Sequence, residues 1–114
     1  MPKNIIKAIT LSALDTATLV GFAFSDVNGT GLPESCFMVR IINNSKVNLI
    51  ISLDGGATAH DVVNSESSLT IFDIPQANNY SANLAKGTVI SVANEIGGAS
   101  IGNVYVAGYY QPNS

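Results

Sequence analysis

Charge is what this chain has least of. Only 11% of its 114 residues are Asp, Glu, Lys or Arg, against roughly a quarter in ordinary globular proteins. The bases Lys3, Lys7, Arg40, Lys46 and Lys86 are scattered singly, and the formal net charge is −3. Nucleic-acid affinity rests on several cations gathered on one face, so neither DNA nor RNA is expected as a direct ligand. Tryptophan is absent, and cysteine and histidine occur once each. A lone Cys36 excludes an internal disulfide. A lone His60 cannot provide the several His or Cys ligands of a hydrolytic zinc centre. No apolar run approaches the roughly 18 residues of a membrane-spanning helix, so no membrane partner is expected.

The first residues imitate an export signal without completing one. Lys3 and Lys7 precede the run Ala8-Ile9-Thr10-Leu11-Ser12-Ala13-Leu14, but Asp15 and nearby threonines interrupt it and no small-x-small cleavage site follows. The chain is therefore expected to be soluble and made in the cytoplasm without export.

What is present is a succession of short strand-forming runs divided by turn clusters. A chain of this length has room for one core, giving a single domain over residues 1–114. Apolar and polar residues alternate from Asn4 to Leu14, with Ile9, Leu11 and Ala13 set against Thr10 and Ser12. That pattern predicts a half-buried strand; residues 1–15 are read as an N-terminal arm or edge strand. Thr18 to Ser25 reads as a second strand, broken by the Asn28-Gly29 corner and Pro33. Cys36 to Ile42 is the most continuous apolar run. Val47 to Leu53 follows the turn cluster Asn43-Asn44-Ser45-Lys46, so the two are expected to form a hairpin. Further strands are predicted at His60 to Val63, Ser67 to Ile74, Thr88 to Ala93 and Val104 to Tyr110, with room for one helical turn in Ile74 to Leu84. About eight strands at this spacing specify an all-β, antiparallel β-sandwich of jelly-roll type.

The residues with chemical character are few. Cys36 sits in an apolar run with no base beside it in sequence, which is the setting of a buried structural thiol rather than a nucleophile. His60-Asp61 follows Asp54-Gly55-Gly56 closely. Asp54 and Asp61 are hard oxygen donors, but the regular spacing of a calcium loop is missing; the expected role is an aspartate accepting backbone N–H bonds in a turn. Gly97-Gly98-Ala99-Ser100-Ile101-Gly102 lacks the Lys-Ser/Thr of a phosphate loop. No catalytic residue, metal ligand or cofactor is therefore assigned.

Arg40, the single charge in its strand, needs a carboxylate partner if buried, with Asp54, Asp61 and Asp73 as candidates; otherwise it points outward. By strand alternation Tyr105 and Tyr109 share one face and Tyr110 takes the other. Arg40, Tyr105, Tyr109 and Tyr110 are the candidate interface residues, since tyrosine and arginine are enriched where subunits meet. Exposed side by side, Tyr105 and Tyr109 would also make a stacking platform for a sugar ring.

Five ordered motifs carry a resemblance over about the last two-thirds of the chain. They are Val39-Arg40-Ile41-Ile42-Asn43-Asn44-Ser45, Ile50-Ile51-Ser52-Leu53-Asp54-Gly55, His60-Asp61-Val62-Val63, Lys86-Gly87-Thr88-Val89-Ile90-Ser91-Val92, and the closing run Gly102 to Tyr110. In these the chain resembles small virion structural proteins of tailed bacteriophages. The resemblance implies a β-sandwich subunit of a phage particle, without enzymatic activity, made in the host cytoplasm and located in the virion. It implies a capsid decoration or cement protein, or a neck or tail component, whose partners are the major capsid protein or other virion proteins. It also implies a homo-oligomer, a trimer being favoured because decoration proteins often sit at three-fold sites. No functional residue carries over. A carbohydrate-binding module acting through Tyr105 and Tyr109 is the alternative from a different class.

Overall fold

The computed structural model describes residues 7–19, 22–72, 84–95 and 101–110. Its strands are β1 (Lys7–Ala8), β2 (Ser12–Asp15), β3 (Ser25–Asp26), β4 (Met38–Ser45), β5 (Leu49–Ser52), β6 (Asp61–Val63), β7 (Ser67–Phe72), β8 (Ser91–Asn94) and β9 (Gly102–Tyr110), with one 3-10 turn at Thr16–Thr18. No α-helix occurs among the described residues. The first sheet has the order β1-β9-β4-β7, with β2 also paired to β9, and the second has the order β3-β8-β5-β6. Every pairing is antiparallel. With β1 and β2 counted as one interrupted edge strand, each sheet has four strands and the order is that of a jelly roll.

Strand alternation decides what each sheet buries. Along β4, Val39 and Ile41 face inward while Met38, Arg40 and Ile42 face outward; along β9, Val104 and Val106 face inward. Ile41 stands opposite Val106 on one side and Leu69 on the other. Leu49, Ile51, Val63 and Val92 of the second sheet complete the sandwich interior, with Leu19, Leu32, Cys36 and Ile90 closing its ends. Each buried Val, Leu or Ile contributes about 1.5–3 kcal/mol relative to exposure.

Three expectations are corrected by this arrangement. First, the runs around β4 and β5 do not form a hairpin. Strand β4 extends through Asn43-Asn44-Ser45, where a turn was expected, and pairs with β7 and β9, whereas β5 pairs with β6 and β8 in the opposite sheet. Second, Thr18 to Ser25 is not one strand. The Asp15 carboxylate accepts a hydrogen bond from the Ala17 backbone N–H at 2.9 Å and starts the 3-10 turn, and among the described residues pairing next occurs at Ser25. Third, the edge strand changes phase. Between the pairs Ala8–Tyr109 and Ser12–Val106 it uses one residue more than β9. An extra residue of this kind reverses which side chains face the core. Ile9 packs inward, but Leu11 and Ala13 lie exposed, and Leu14 takes the core position. Residues 7–15 are thus an edge strand of their own sheet rather than a free arm; residues 1–6, and nearly all of the expected helical turn in Ile74 to Leu84, lie outside the described residues.

The crossover from β4 to β5 is held by a buried amide. Asn43, 1% exposed, donates through Nδ2 to the backbone carbonyls of Val47 at 2.8 Å, Val63 at 3.1 Å and Asn64 at 3.1 Å. Its Oδ1 accepts from the Ser45 backbone N–H at 3.1 Å and from the Ser45 hydroxyl. One side chain of the first sheet therefore satisfies backbone groups of the crossover, of β6 and of the loop after it. Within the second sheet, Asn28 ties the loop after β3 to the segment leading into β8, donating to the Thr88 carbonyl at 3.1 Å and accepting from the Ile90 N–H at 2.7 Å. Thr16 donates its hydroxyl to the Gly102 carbonyl at 2.9 Å. Among the described residues, no buried side-chain nitrogen or oxygen lacks a partner.

Asn43→Ala should destabilise the fold by about 3 kcal/mol, since it removes at once the bonds to the Val47, Val63 and Asn64 carbonyls and the acceptor for Ser45. Urea unfolding with an unchanged m-value measures this. At Gly102, φ is +119° and an added Cβ would fall on the Asn44 carbonyl oxygen and near the Ser45 backbone. Gly102→Ala should therefore cost at least about 2 kcal/mol, while Gly29→Ala, where no atom lies within 4 Å of the new Cβ, should change stability little.

Candidate functional site

Alternation places a distinct set of side chains on the outer face of the first sheet. In one row Ala13 of β2 pairs with Tyr105, which pairs with Ile42, which pairs with Ser68. In the next, Ala107 pairs with Arg40 and Arg40 with Thr70. In the third, Ala8 pairs with Tyr109 and Tyr109 with Met38. Arg40 is the only charged residue in β4, β7 and β9. It is half-buried, and among the described residues no carboxylate forms an ion pair with it; the ion pair found there joins Lys46 and Glu66 at 3.2 Å. Asp54 and Asp61 belong to the opposite sheet and its loop, so neither is the partner considered from sequence, and Asp73 lies outside the described residues.

This face carries a depression of about 460 Å³, whose lining includes Leu11, Arg40, Ile42, Asn44, Glu66, Ser67, Ser68 and Tyr105. The guanidinium offers a planar fork of donors, which suits a carboxylate. The Tyr105 ring, Ile42 and Leu11 supply apolar walls, and the hydroxyl and amide groups supply compact donors and acceptors. Tyr105 and Tyr109 do share the outer face, both half-buried, with Ala107 between them. Tyr110 instead packs against the core, so of the candidate interface residues Arg40, Tyr105 and Tyr109 occupy one surface and Tyr110 does not.

Sequence reasoning did not place Leu11, Asn44, Ser67 and Ser68 beside Arg40. Leu11 was assigned to the core because the extra residue in the edge strand has no signature beyond the alternation it breaks. Asn44 was assigned to a turn. Ser67 and Ser68 become neighbours of the site only through the long-range pairing of β7 with β4, which local pattern does not encode.

The other residues of chemical character are occupied structurally. Cys36 is buried, its Sγ donates to the Glu34 carbonyl at 3.4 Å, and burial, with the Glu34 charge adding to it, pushes the thiol's pKa up. A thiol held protonated is a poor nucleophile. Asp54 Oδ1 accepts from the Ser52 hydroxyl at 2.6 Å and from the Thr58 N–H at 2.9 Å. The Ser52 hydroxyl oxygen in turn accepts from the Gly56 N–H at 2.9 Å. His60 Nδ1 accepts from the Leu53 N–H at 3.0 Å, which closes the same loop. Asp54 is thus an acceptor that orders a glycine turn. Among the described residues, no three His, Cys, Asp or Glu side chains gather as metal ligands.

Hydrogen bonds from Ser52 and then Thr58 hold the Asp54 carboxyl down from 3.8 to about 2. A lowered folded-state pKa means the contribution is fully present above about pH 4 and is lost as the pH falls toward 2. Carboxyl NMR titration should therefore place the Asp54 midpoint near 2. Asp54→Asn should remove part of the stability loss in that acid window and leave the slope of stability against pH unchanged above it. A midpoint at the ordinary aspartate value would contradict the turn geometry.

Compared with known proteins, the chain matches no family model and no curated protein.

Proposed function

We propose that this protein is a structural subunit of a bacteriophage virion, acting as a capsid decoration or cement protein that bridges neighbouring coat subunits. Its work on this reading is mechanical: a small, rigid sandwich present in many copies adds weak contacts whose avidity multiplies with number. The sequence motifs that resemble phage virion proteins support the placement, and a jelly roll is a fold that capsid proteins use.

The observation that carries the assembly role is the edge of the first sheet. Strand β7 runs Ser67-Ser68-Leu69-Thr70-Ile71-Phe72 without a charge or a proline. Among the described residues its only partner is β4. Natural sheets blunt such edges with lysine, proline or bulges unless the edge is meant to pair. An unblunted edge is suited to strand addition by a neighbour, where main-chain bonds give affinity. Exposed Phe22, Val62 and Ile101 add apolar contact points outside the core. The residues considered for catalysis, Cys36, His60 and Asp54, are each engaged in packing or in a turn, which favours a binding role over an enzymatic one.

A neck or tail position is the second reading, and copy number separates the two. Quantitative mass spectrometry of purified particles of the phage encoding the chain should find it in hundreds of copies. A dozen or fewer would move the assignment to the neck or tail, and absence from washed particles would overturn a virion role altogether.

A further inference from the structure

We propose that the depression on the outer face of the first sheet binds a carboxylate-bearing sugar, with Arg40 taking the carboxylate and Tyr105 the face of the pyranose ring. This goes beyond the assembly role and uses a different surface, because strand addition engages the β7 edge whereas the sugar lies on the outward face.

Charge comes first. Arg40 is half-buried and no described carboxylate pairs with it; the other charged strand residue on that face is Asp15 of β2, opposite Asn103 at the far end of β9. A guanidinium in that setting keeps an open fork for two parallel hydrogen bonds to one carboxylate. Partial burial beside Ile42 and Tyr105 weakens solvent screening, so the attraction is stronger there than at a fully exposed arginine. Glu66, the one acid among the lining residues, pairs with Lys46 at 3.2 Å and not with Arg40.

Shape and lining come next. A volume of about 460 Å³ falls in the range of small-ligand sites and fits one or two pyranose units. Tyr105 and Leu11 present apolar surface to the C–H face of a ring, while Ser68, Ser67 and Asn44 present short hydroxyl and amide groups suited to sugar hydroxyls. A protein side-chain carboxylate would satisfy Arg40 equally well but would leave those small polar groups without ligand partners. The lining therefore favours an acidic saccharide over an acidic peptide.

The site as drawn separates ligands that differ in one group. Methyl glucuronide and methyl glucoside differ only in a carboxylate against a hydroxymethyl. In NMR titrations of the full chain, glucuronide or N-acetylneuraminic acid should give saturable shifts at the Arg40, Tyr105 and Ser68 amides, at least about tenfold tighter than the glucoside, which is the arithmetic of one charge-assisted contact. Arg40→Gln should bring the acidic and neutral sugars to equal, weak binding. Tyr105→Ala should weaken both while leaving the thermal midpoint close to that of the parent. Equal affinity for glucuronide and glucoside, shifts confined to another surface, or no saturable shift with either acidic sugar would overturn the proposal. Acetate or N-acetylglutamate binding as tightly as glucuronide would also overturn it, leaving a bare carboxylate site of the kind a protein partner fills.

Discussion

The whole sandwich depends on one buried carboxamide. The chain leaves the first sheet at Ser45 and enters the second at Leu49, and in that short crossover it must turn without exposing backbone groups to an apolar interior. Asn43 solves the problem from inside: its amide donates to carbonyls of the crossover, of β6 and of the loop after it, while its oxygen holds the Ser45 N–H. A buried amide that is fully bonded specifies geometry, because any other arrangement leaves costly unpaired groups. The crossover in turn decides that β4 and β5 lie in opposite sheets, from which the jelly-roll order follows.

The shortage of charge has a related cause. With so few charges, Asn, Ser and Thr supply most of the chain's polar side chains. The structure adds an interior use, since Thr16, Asn28, Asn43, Ser45, Ser52, Ser91 and Asn94 are all buried. These neutral groups join loops to strands at little desolvation cost compared with ions. The Lys46–Glu66 pair, by contrast, is largely exposed, and pairs of that kind contribute little. With the interior held by neutral clamps, the one charge of the central strands, Arg40, faces outward.

Much of the architecture was legible in the residues. Val39 and Ile41 against Met38 and Arg40, and Val104 and Val106 against Tyr105 and Ala107, announce half-buried strands by period alone, and the turn-rich spacing announces a sandwich. Alternation also placed Tyr105 and Tyr109 on one face. What escaped is what depends on tertiary pairing. Asn43-Asn44-Ser45 has the composition of a turn, and only the amide's distant partners make it the end of a strand. Leu11 looks like a core residue until the extra residue beside it reverses the phase. Arg40 was recognised as anomalous, but its surroundings are assembled from β2, β7 and β9, and short-range pattern says nothing of which strands become neighbours.

Native-state hydrogen exchange tests the central claim most directly, because two buried backbone amides donate to the clamping side chains themselves: Ser45 N–H to Asn43 and Ile90 N–H to Asn28. If side-chain clamps close the sandwich, both amides open only with the whole molecule, and their exchange free energies match that of global unfolding. Exchange of either amide at the rate of a frayed loop, while β4 and β9 stay protected, would show that the sheets hold together without them and would contradict the account.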